Sequence, residues 1–278
     1  MADHRRMADL RPAPFIVGVG RSGTTLLRLM LDAHPDLAIP TETVFLAGLA
    51  ELDAKDLTVE MVLRTILAAP TWPNLATEET DLRTALAGLD PATGADAIRA
   101  FYSLYAARRG KRRWGDKTPP YRGYIKPIGK LLPEGRFLHI IRDGRDVALS
   151  YRGLWFGPGD DIEAQARFWV EQVRGAQAQA ASVLHYLEVR YETLVKQPEK
   201  SLASICGYLD LPFDAAMLEY HQTASARLAE FTQPFGPGST PQDIQRFVAI
   251  HDHTKRLPDP ARIASLEVGN VAERPSTV

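Results

Sequence analysis

Residues 15–27 read Phe15-Ile16-Val17-Gly18-Val19-Gly20-Arg21-Ser22-Gly23-Thr24-Thr25-Leu26-Leu27. An apolar run suited to a buried strand enters a glycine-punctuated turn, and the stretch after it reads as a helix. Such a turn gathers successive backbone N–H groups, backed by the positive end of the helix, into a concave anion site that needs no particular side chain. Gly18 and Gly23 keep the glycine spacing of a nucleotide-triphosphatase P-loop, but Thr24 stands where that loop carries its lysine. The cation instead lies inside the turn, as Arg21. The segment is built for a phosphate, and the displaced charge argues against the γ-phosphate of ATP.

Working outward, the same strand-to-helix grammar recurs. The first helix is expected over residues 24–33, ended by His34-Pro35 because proline disfavours helical geometry in the residue before it. A second strand is expected over 136–141 with a helix over 143–152. A third is expected over 183–191, leading into a helical pattern over 198–209. This alternation predicts an α/β fold with a P-loop-like parallel sheet flanked by helices. Residues 44–110 break the rhythm, with helical periodicity over 61–69, 78–86 and 95–107. That stretch is too long for an ordinary crossover and predicts a helical insertion over the active site. Residues 156–160 and 233–238, rich in glycine and proline, read as surface loops or lids. The whole chain, 1–278, reads as one domain with a flexible arm over residues 1–13.

With 278 residues, 45% of them hydrophobic, and a formal net charge of −1, the chain can bury a substantial core and lacks the basic footprint of a nucleic-acid binder. Its single cysteine, Cys206, lies in an apolar run and reads as a small buried hydrophobe. Neither a signal peptide nor an apolar stretch of about 20 residues is visible, so no membrane span and a cytoplasmic setting are expected. Histidines and carboxylates show no metal-ligand spacing. The basic run Arg108, Arg109, Lys111, Arg112, Arg113 reads as a solvated face, or as a lure for an acidic substrate.

A second phosphate device follows the second strand. In Ile141-Arg142-Asp143-Gly144-Arg145-Asp146-Val147-Ala148-Leu149-Ser150, a strand ends on a cation and the next helix presents a hydroxyl about two turns on, where Ser150 can converge on an anion held by Arg142. The bland alternative is a solvated charge cluster at a strand–helix corner.

This pair of motifs resembles the sulfotransferases that use 3'-phosphoadenosine 5'-phosphosulfate (PAPS). The similarity is greatest to the tyrosylprotein-sulfotransferase-like branch and its bacterial relatives, through the run from Arg21 to Asp36, Thr41-Glu42-Thr43, Trp114-Gly115-Asp116-Lys117-Thr118-Pro119 and Val189-Arg190-Tyr191-Glu192-Thr193-Leu194. The resemblance implies in-line sulfonate transfer from PAPS to an acceptor hydroxyl on a sugar, a lipid-linked glycan, a phenol or a peptide tyrosine, releasing adenosine 3',5'-bisphosphate without a metal. It implies that Arg21, Ser22, Gly23, Thr24 and Thr25 hold the 5'-phosphosulfate and that Arg142 and Ser150 hold the 3'-phosphate. Tyr191 joins the cofactor set, Lys117 brings a second cation to the sulfonate, and Glu42 is the general base. For Lys117 the residues alone suggest an ordinary surface lysine, and for Glu42 a local cap or pair.

Cytosolic sulfotransferases use a histidine base, so the histidines matter. His139, inside an apolar strand, reads as a satisfied core residue, and His34 as a cationic cap at a helix C-terminus. His251 and His253 are minor candidates, and Lys255 and Arg256 stand where a basic loop would close over the 3'-phosphate. A P-loop kinase and a non-catalytic nucleotide-binding protein are the rival readings.

Overall fold

The computed structural model describes residues 10–89, 93–152, 154 and 157–230. Residues 233–238, His251, His253, Lys255 and Arg256, and most of the N-terminal arm, lie outside the described residues. From the N-terminus, β1 (Ala13–Gly18) leads through the glycine turn to α1 (Thr24–Asp32) and a short β2 (Leu37–Ala38). Helices α2 (Leu46–Ala50), α3 (Val59–Ala68), α4 (Glu79–Ala87) and α5 (Gly94–Ala107) follow, then β3 (Arg113–Trp114), β4 (Asp116–Lys117) and α6 (Ile125–Leu131). The remainder is β5 (Gly135–Ile141), α7 (Gly144–Tyr151), α8 (Ile162–Ala180), β6 (Tyr186–Arg190), α9 (Tyr191–Lys196), α10 (Pro198–Tyr208) and α11 (His221–Leu228).

Strands β4, β1, β5 and β6 form a parallel sheet in that order, with Phe15 opposite both Asp116 and Phe137. Strand period sorts the side chains onto two faces. Phe15, Val17 and Phe137 pack with residues of α2–α6, among them Leu46, Ile66, Leu82, Phe101 and Ile128. Ile16, Leu138 and Ile140 pack on the opposite face with Leu27 and Met30 of α1, Leu194 of α9, Leu202 of α10 and Ala224 of α11. Each of the larger side chains buried in these layers contributes about 1.5–3 kcal/mol. Both faces of β1 are covered, which is why it reads as an uninterrupted apolar run.

A second, two-stranded parallel sheet pairs Leu37 with Arg113 and Ala38 with Trp114. It lays the chain after α1 beside the chain entering β4. Thr43 then reaches a buried hydroxyl cluster: its Oγ1 donates to Asp116 Oδ2 at 2.7 Å, and Tyr102 of α5 donates to the same oxygen at 2.9 Å. Thr71 donates to the Thr43 carbonyl at 2.9 Å. The helices of 46–107 thus wall the segment that carries Glu42.

The basic run is a correction. Arg113 donates to the carbonyls of Pro12, Leu209 and Asp210, and Lys111 to those of Asp32 and Leu37. Arg109 lies 3.6 Å over the Tyr105 ring and pairs with Glu230 at 2.8 Å. Arg112 and Arg108 remain outward, paired with Asp36 and Asp81. Carbonyls left open at helix and loop ends need donors, and long cationic side chains supply them while burying their stems.

Asp116 is fully buried, and burial pushes its carboxyl up to about 6 against the opposing hydroxyl donors and Lys117. The folded state therefore holds this proton more tightly than the unfolded chain. Its stabilisation is complete below about pH 4 and is lost as pH rises through about 6. Relative to Asp116→Asn, the native protein should lose on the order of 3 kcal/mol between about pH 4 and pH 7 in urea denaturation. A difference that does not change with pH would contradict the buried, raised carboxyl.

Candidate active site

The cradle after β1 depends on two left-handed residues, Arg21 at φ 68° and Gly23 at φ 93°. Helix α1 begins directly after Gly23 with no side chain capping its first turn, so its leading amides are available to an anion. Gly23 is required twice over, because a Cβ there would lie 2.4 Å from Cδ2 of Tyr191. Ser22 is buried, and its Oγ has no hydrogen-bond partner among the described residues. A buried hydroxyl without a partner at the mouth of a helix fits a phosphate oxygen.

The second device meets the first. Arg21 Nε donates to Ser150 Oγ at 3.0 Å, and Arg142 Nη1 donates to the Arg21 carbonyl at 3.1 Å. The Arg142 guanidinium lies 4.7 Å over the Tyr191 ring. Glu192 ties the corner down by accepting from the Asp143 amide at 2.8 Å. The charge-cluster alternative holds for Arg145, which is exposed and pairs with Asp143, whereas Arg142 turns inward. Burial pushes the Arg21 guanidinium down from its ordinary value; Tyr151 opposes the shift and the charge of Arg142 adds to it. Two guanidiniums sharing one partly buried corner make a strong local demand for negative charge. Beside them a cleft of about 490 Å³ runs between α7 and α8, lined in part by Arg142, Arg145, Trp169 and Arg190.

Glu42 and Lys117 form the other half of the site. Ala38 and Trp114 are register partners, and from them the chain runs four residues to Glu42 and three to Lys117. Lys117 Nζ donates to Glu42 Oε1 at 2.9 Å, with the lysine side chain fully buried and the glutamate 19% exposed. Lys117 is thus no surface lysine. Burial pushes its ammonium down, Glu42 opposes the shift, and the charge of Arg28 adds to it. Lys117 pairs with Ile16 at the carboxyl end of β4, and the cradle follows the carboxyl end of β1. Both halves lie at the same end of a parallel sheet, where open α/β folds bind their ligands.

His34 does not act as a cationic cap. Its Nδ1 accepts from the Asp36 amide at 3.0 Å, leaving Nε2 to donate to the Pro212 carbonyl at 3.0 Å, and burial pushes its pKa down. This neutral ring braces the turn after α1. His139 is buried beside Tyr186, with 2.6 Å between Nδ1 and the phenol oxygen, and burial pushes it down to about 4. Cys206 is buried next to Met217 and its thiol is pushed up to about 11 by burial. Three residues of the site region escaped the sequence reading. Tyr151 closes the cradle, since a Cβ on Gly20 would sit 2.4 Å from its hydroxyl. Asp116 anchors Thr43, and the charge of Arg28 acts on Lys117. Their available signal was adjacency to Ser150, Lys117 and the first helix. Among the described residues, no group of His, Cys, Asp and Glu side chains is placed to hold a metal ion, and no helix is long and apolar enough to cross a membrane.

The parallel α/β sheet thus carries, at the carboxyl ends of its strands, the glycine turn before α1 and the Lys117–Glu42 ion pair. Residues 12–215 match the sulfotransferase family, and the chain belongs to it. It is 29% identical to a putative protein-tyrosine sulfotransferase of Caenorhabditis briggsae over 83% of this chain and 76% of that protein. It is 27% identical to protein-tyrosine sulfotransferase 1 of Danio rerio over 76% of this chain and 56% of that protein. It is 28% identical to the nodulation protein NoeE of Sinorhizobium fredii over 80% of this chain and 57% of that protein. The chain spans little more than half the length of the last two. Its fold is that of the sulfotransferase domain from the curacin biosynthetic pathway, with TM-score 0.52, 19% identity, and coverage of 93% of this chain and 98% of that one.

Gly23→Ala is expected to lower affinity for inorganic pyrophosphate at least about tenfold in calorimetry, equivalent to about 1.4 kcal/mol. Unchanged affinity would place the anion site elsewhere.

Proposed function

We propose that the protein transfers a sulfonate from PAPS to an acceptor hydroxyl by in-line displacement, with Glu42 as general base. The observation that carries this reading is the Glu42–Lys117 pair at the sheet end that also holds the cradle. Bound PAPS supplies a sulfonate on a phosphate leaving group and a 3'-phosphate by which it is recognised. Arg21, the Ser22 hydroxyl and the amides of Gly23, Thr24 and Thr25 hold the 5'-phosphate, with Thr24 and Thr25 hydroxyls as further donors. Arg142 and Ser150 take the 3'-phosphate, and Tyr191 backs Arg142 from below.

Glu42 then accepts the acceptor's proton at a carboxylate oxygen. Its attraction for Lys117 falls as it is neutralised, which frees the ammonium for charge building on the departing phosphate oxygen. A donor placed this way is worth on the order of 3–4 kcal/mol in comparable oxyanion sites. The names of the relatives put peptide tyrosine first among acceptors to test, ahead of sugars, lipid-linked glycans and simple phenols. A cytoplasmic setting belongs to the same reading.

Calorimetry should show tight binding of adenosine 3',5'-bisphosphate, weakened at least about tenfold in Arg142→Ala, together with weak binding of ATP with magnesium. Preference for ATP would favour a kinase instead. With ³⁵S-labelled PAPS and a panel comprising a tyrosine peptide, 4-nitrophenol and an N-acetylglucosamine oligosaccharide, Glu42→Gln should lower turnover about 10²–10⁴-fold. Binding of the bisphosphate should be unchanged in that variant. Near-normal turnover removes Glu42 from the mechanism.

A further inference from the structure

The segment that carries Glu42 is held by an ionic device lying behind it, outside the groups assigned to the reaction. Both backbone groups of Ile39 are taken by charged side chains. Its N–H donates to Asp32 Oδ1 at 2.7 Å, and its carbonyl accepts from Arg28 Nε at 3.0 Å and from Arg227 Nη2 at 3.1 Å. Arg227 belongs to α11; its Nη2 also donates to Asp32 Oδ1 at 3.0 Å, and its Nε lies 2.7 Å from Asp32 Oδ2 as an ion pair. Tyr105 of α5 accepts from the same Nη2 at 2.9 Å. Glu230 gathers Arg109, Arg227 and Arg28 behind the clamp.

Asp32 and Arg28 are buried, and Arg227 is 12% exposed. Burial pushes Asp32 up, but Arg227, Lys111, Arg28 and the Ile39 amide outweigh it and hold the carboxyl below its ordinary range. Pro40 stiffens the step from Ile39 towards Glu42. On the far side of Glu42, the Thr43 amide donates to Thr118 Oγ1 at 3.0 Å. Glu42 therefore rides on a strap fixed three residues before it and one residue after it. Arg227 Nη2 joins both ends of the first clamp, the carboxylate and the carbonyl.

We propose that Arg227 is a positioning residue: through the Ile39 carbonyl and the Asp32 carboxylate, it sets where the strap holds the Glu42 carboxylate, without touching either substrate. The proposal rests on Glu42 being the general base. Lysine at position 227 keeps the charge but has one nitrogen where arginine sets Nε against Asp32, Nη1 against Glu230 and Nη2 against Ile39. Small misplacement of a reacting group costs up to about 10²-fold in rate.

The test compares Arg227→Lys with Leu228→Ala, which cuts the neighbouring buried side chain of α11 and leaves the clamp intact. Hydrogen exchange of the peptide spanning residues 39–43 should rise at least about tenfold in Arg227→Lys, with residues 18–27 unchanged. Turnover of ³⁵S-labelled PAPS with the panel acceptor that the native protein uses fastest should fall about 10–100-fold, while KM for PAPS stays within about twofold. Leu228→Ala should keep native turnover and native exchange in the strap. Equal loss of turnover in Leu228→Ala, or an unchanged strap in Arg227→Lys, overturns the proposal. In the Glu42→Gln background, Arg227→Lys should cause no further slowing. If it slows that variant by its full factor, Arg227 acts elsewhere even with Glu42 as base. If Glu42→Gln itself turns over normally, the base assignment fails first and takes the positioning role with it.

Discussion

The ion pair between Lys117 and Glu42, 2.9 Å long with the lysine fully buried, is the interaction around which the molecule is arranged. A buried ammonium is costly unless a carboxylate meets it, and removing one partner strands the other. The fold meets that demand by pairing β2 with β3 in parallel, which brings together residues separated by 75 positions. β4 then docks on β1, so the cation stands beside the strand that opens the cradle. Sheet register, more than any local motif, brings Glu42, Lys117 and the glycine turn to one end of the sheet.

The surroundings of that pair are unusually rich in positive charge. The charge of Arg28 adds to the lowering of Lys117, and Arg21 and Arg142 share a corner of the same sheet end. At the cradle Arg142 pairs with Asp146 at 3.8 Å. The proposed sulfonate transfer away from a phosphate would call on such positive charge to hold a multiply charged anion and to stabilise charge developing on it. Hydroxyls of Thr43, Tyr102, Thr118 and Tyr121 around Asp116 hold the opposite wall without adding further charge.

The glycine turn and the Arg142–Ser150 corner of the candidate site were legible in the sequence because their signals are local. Gly23 before a helix, Arg21 inside the turn, and Arg142 eight residues before Ser150 each carry their geometry in their spacing. Glu42 and Lys117 were reached only through family resemblance, since their approach is decided by a strand pairing that no periodicity announces. Helix α8 gave little signal because only Gln165, Val173 and Ala176 of its nineteen residues are buried, leaving no apolar stripe. The basic run misled for the converse reason: charge patterning cannot tell a solvated arginine from Arg113 reaching three carbonyls in the interior. The clamp of Asp32 by Arg227 joins residues 195 positions apart and has no sequence signature at all.

A crystal structure of the protein with adenosine 3',5'-bisphosphate would test the central claim most directly. The 5'-phosphate should lie against the amides of Gly23, Thr24 and Thr25 within reach of Ser22 Oγ and Lys117 Nζ, with the 3'-phosphate between Arg142 and Ser150. A bisphosphate bound in the reverse sense, or held away from Arg21 and Arg142, would contradict it.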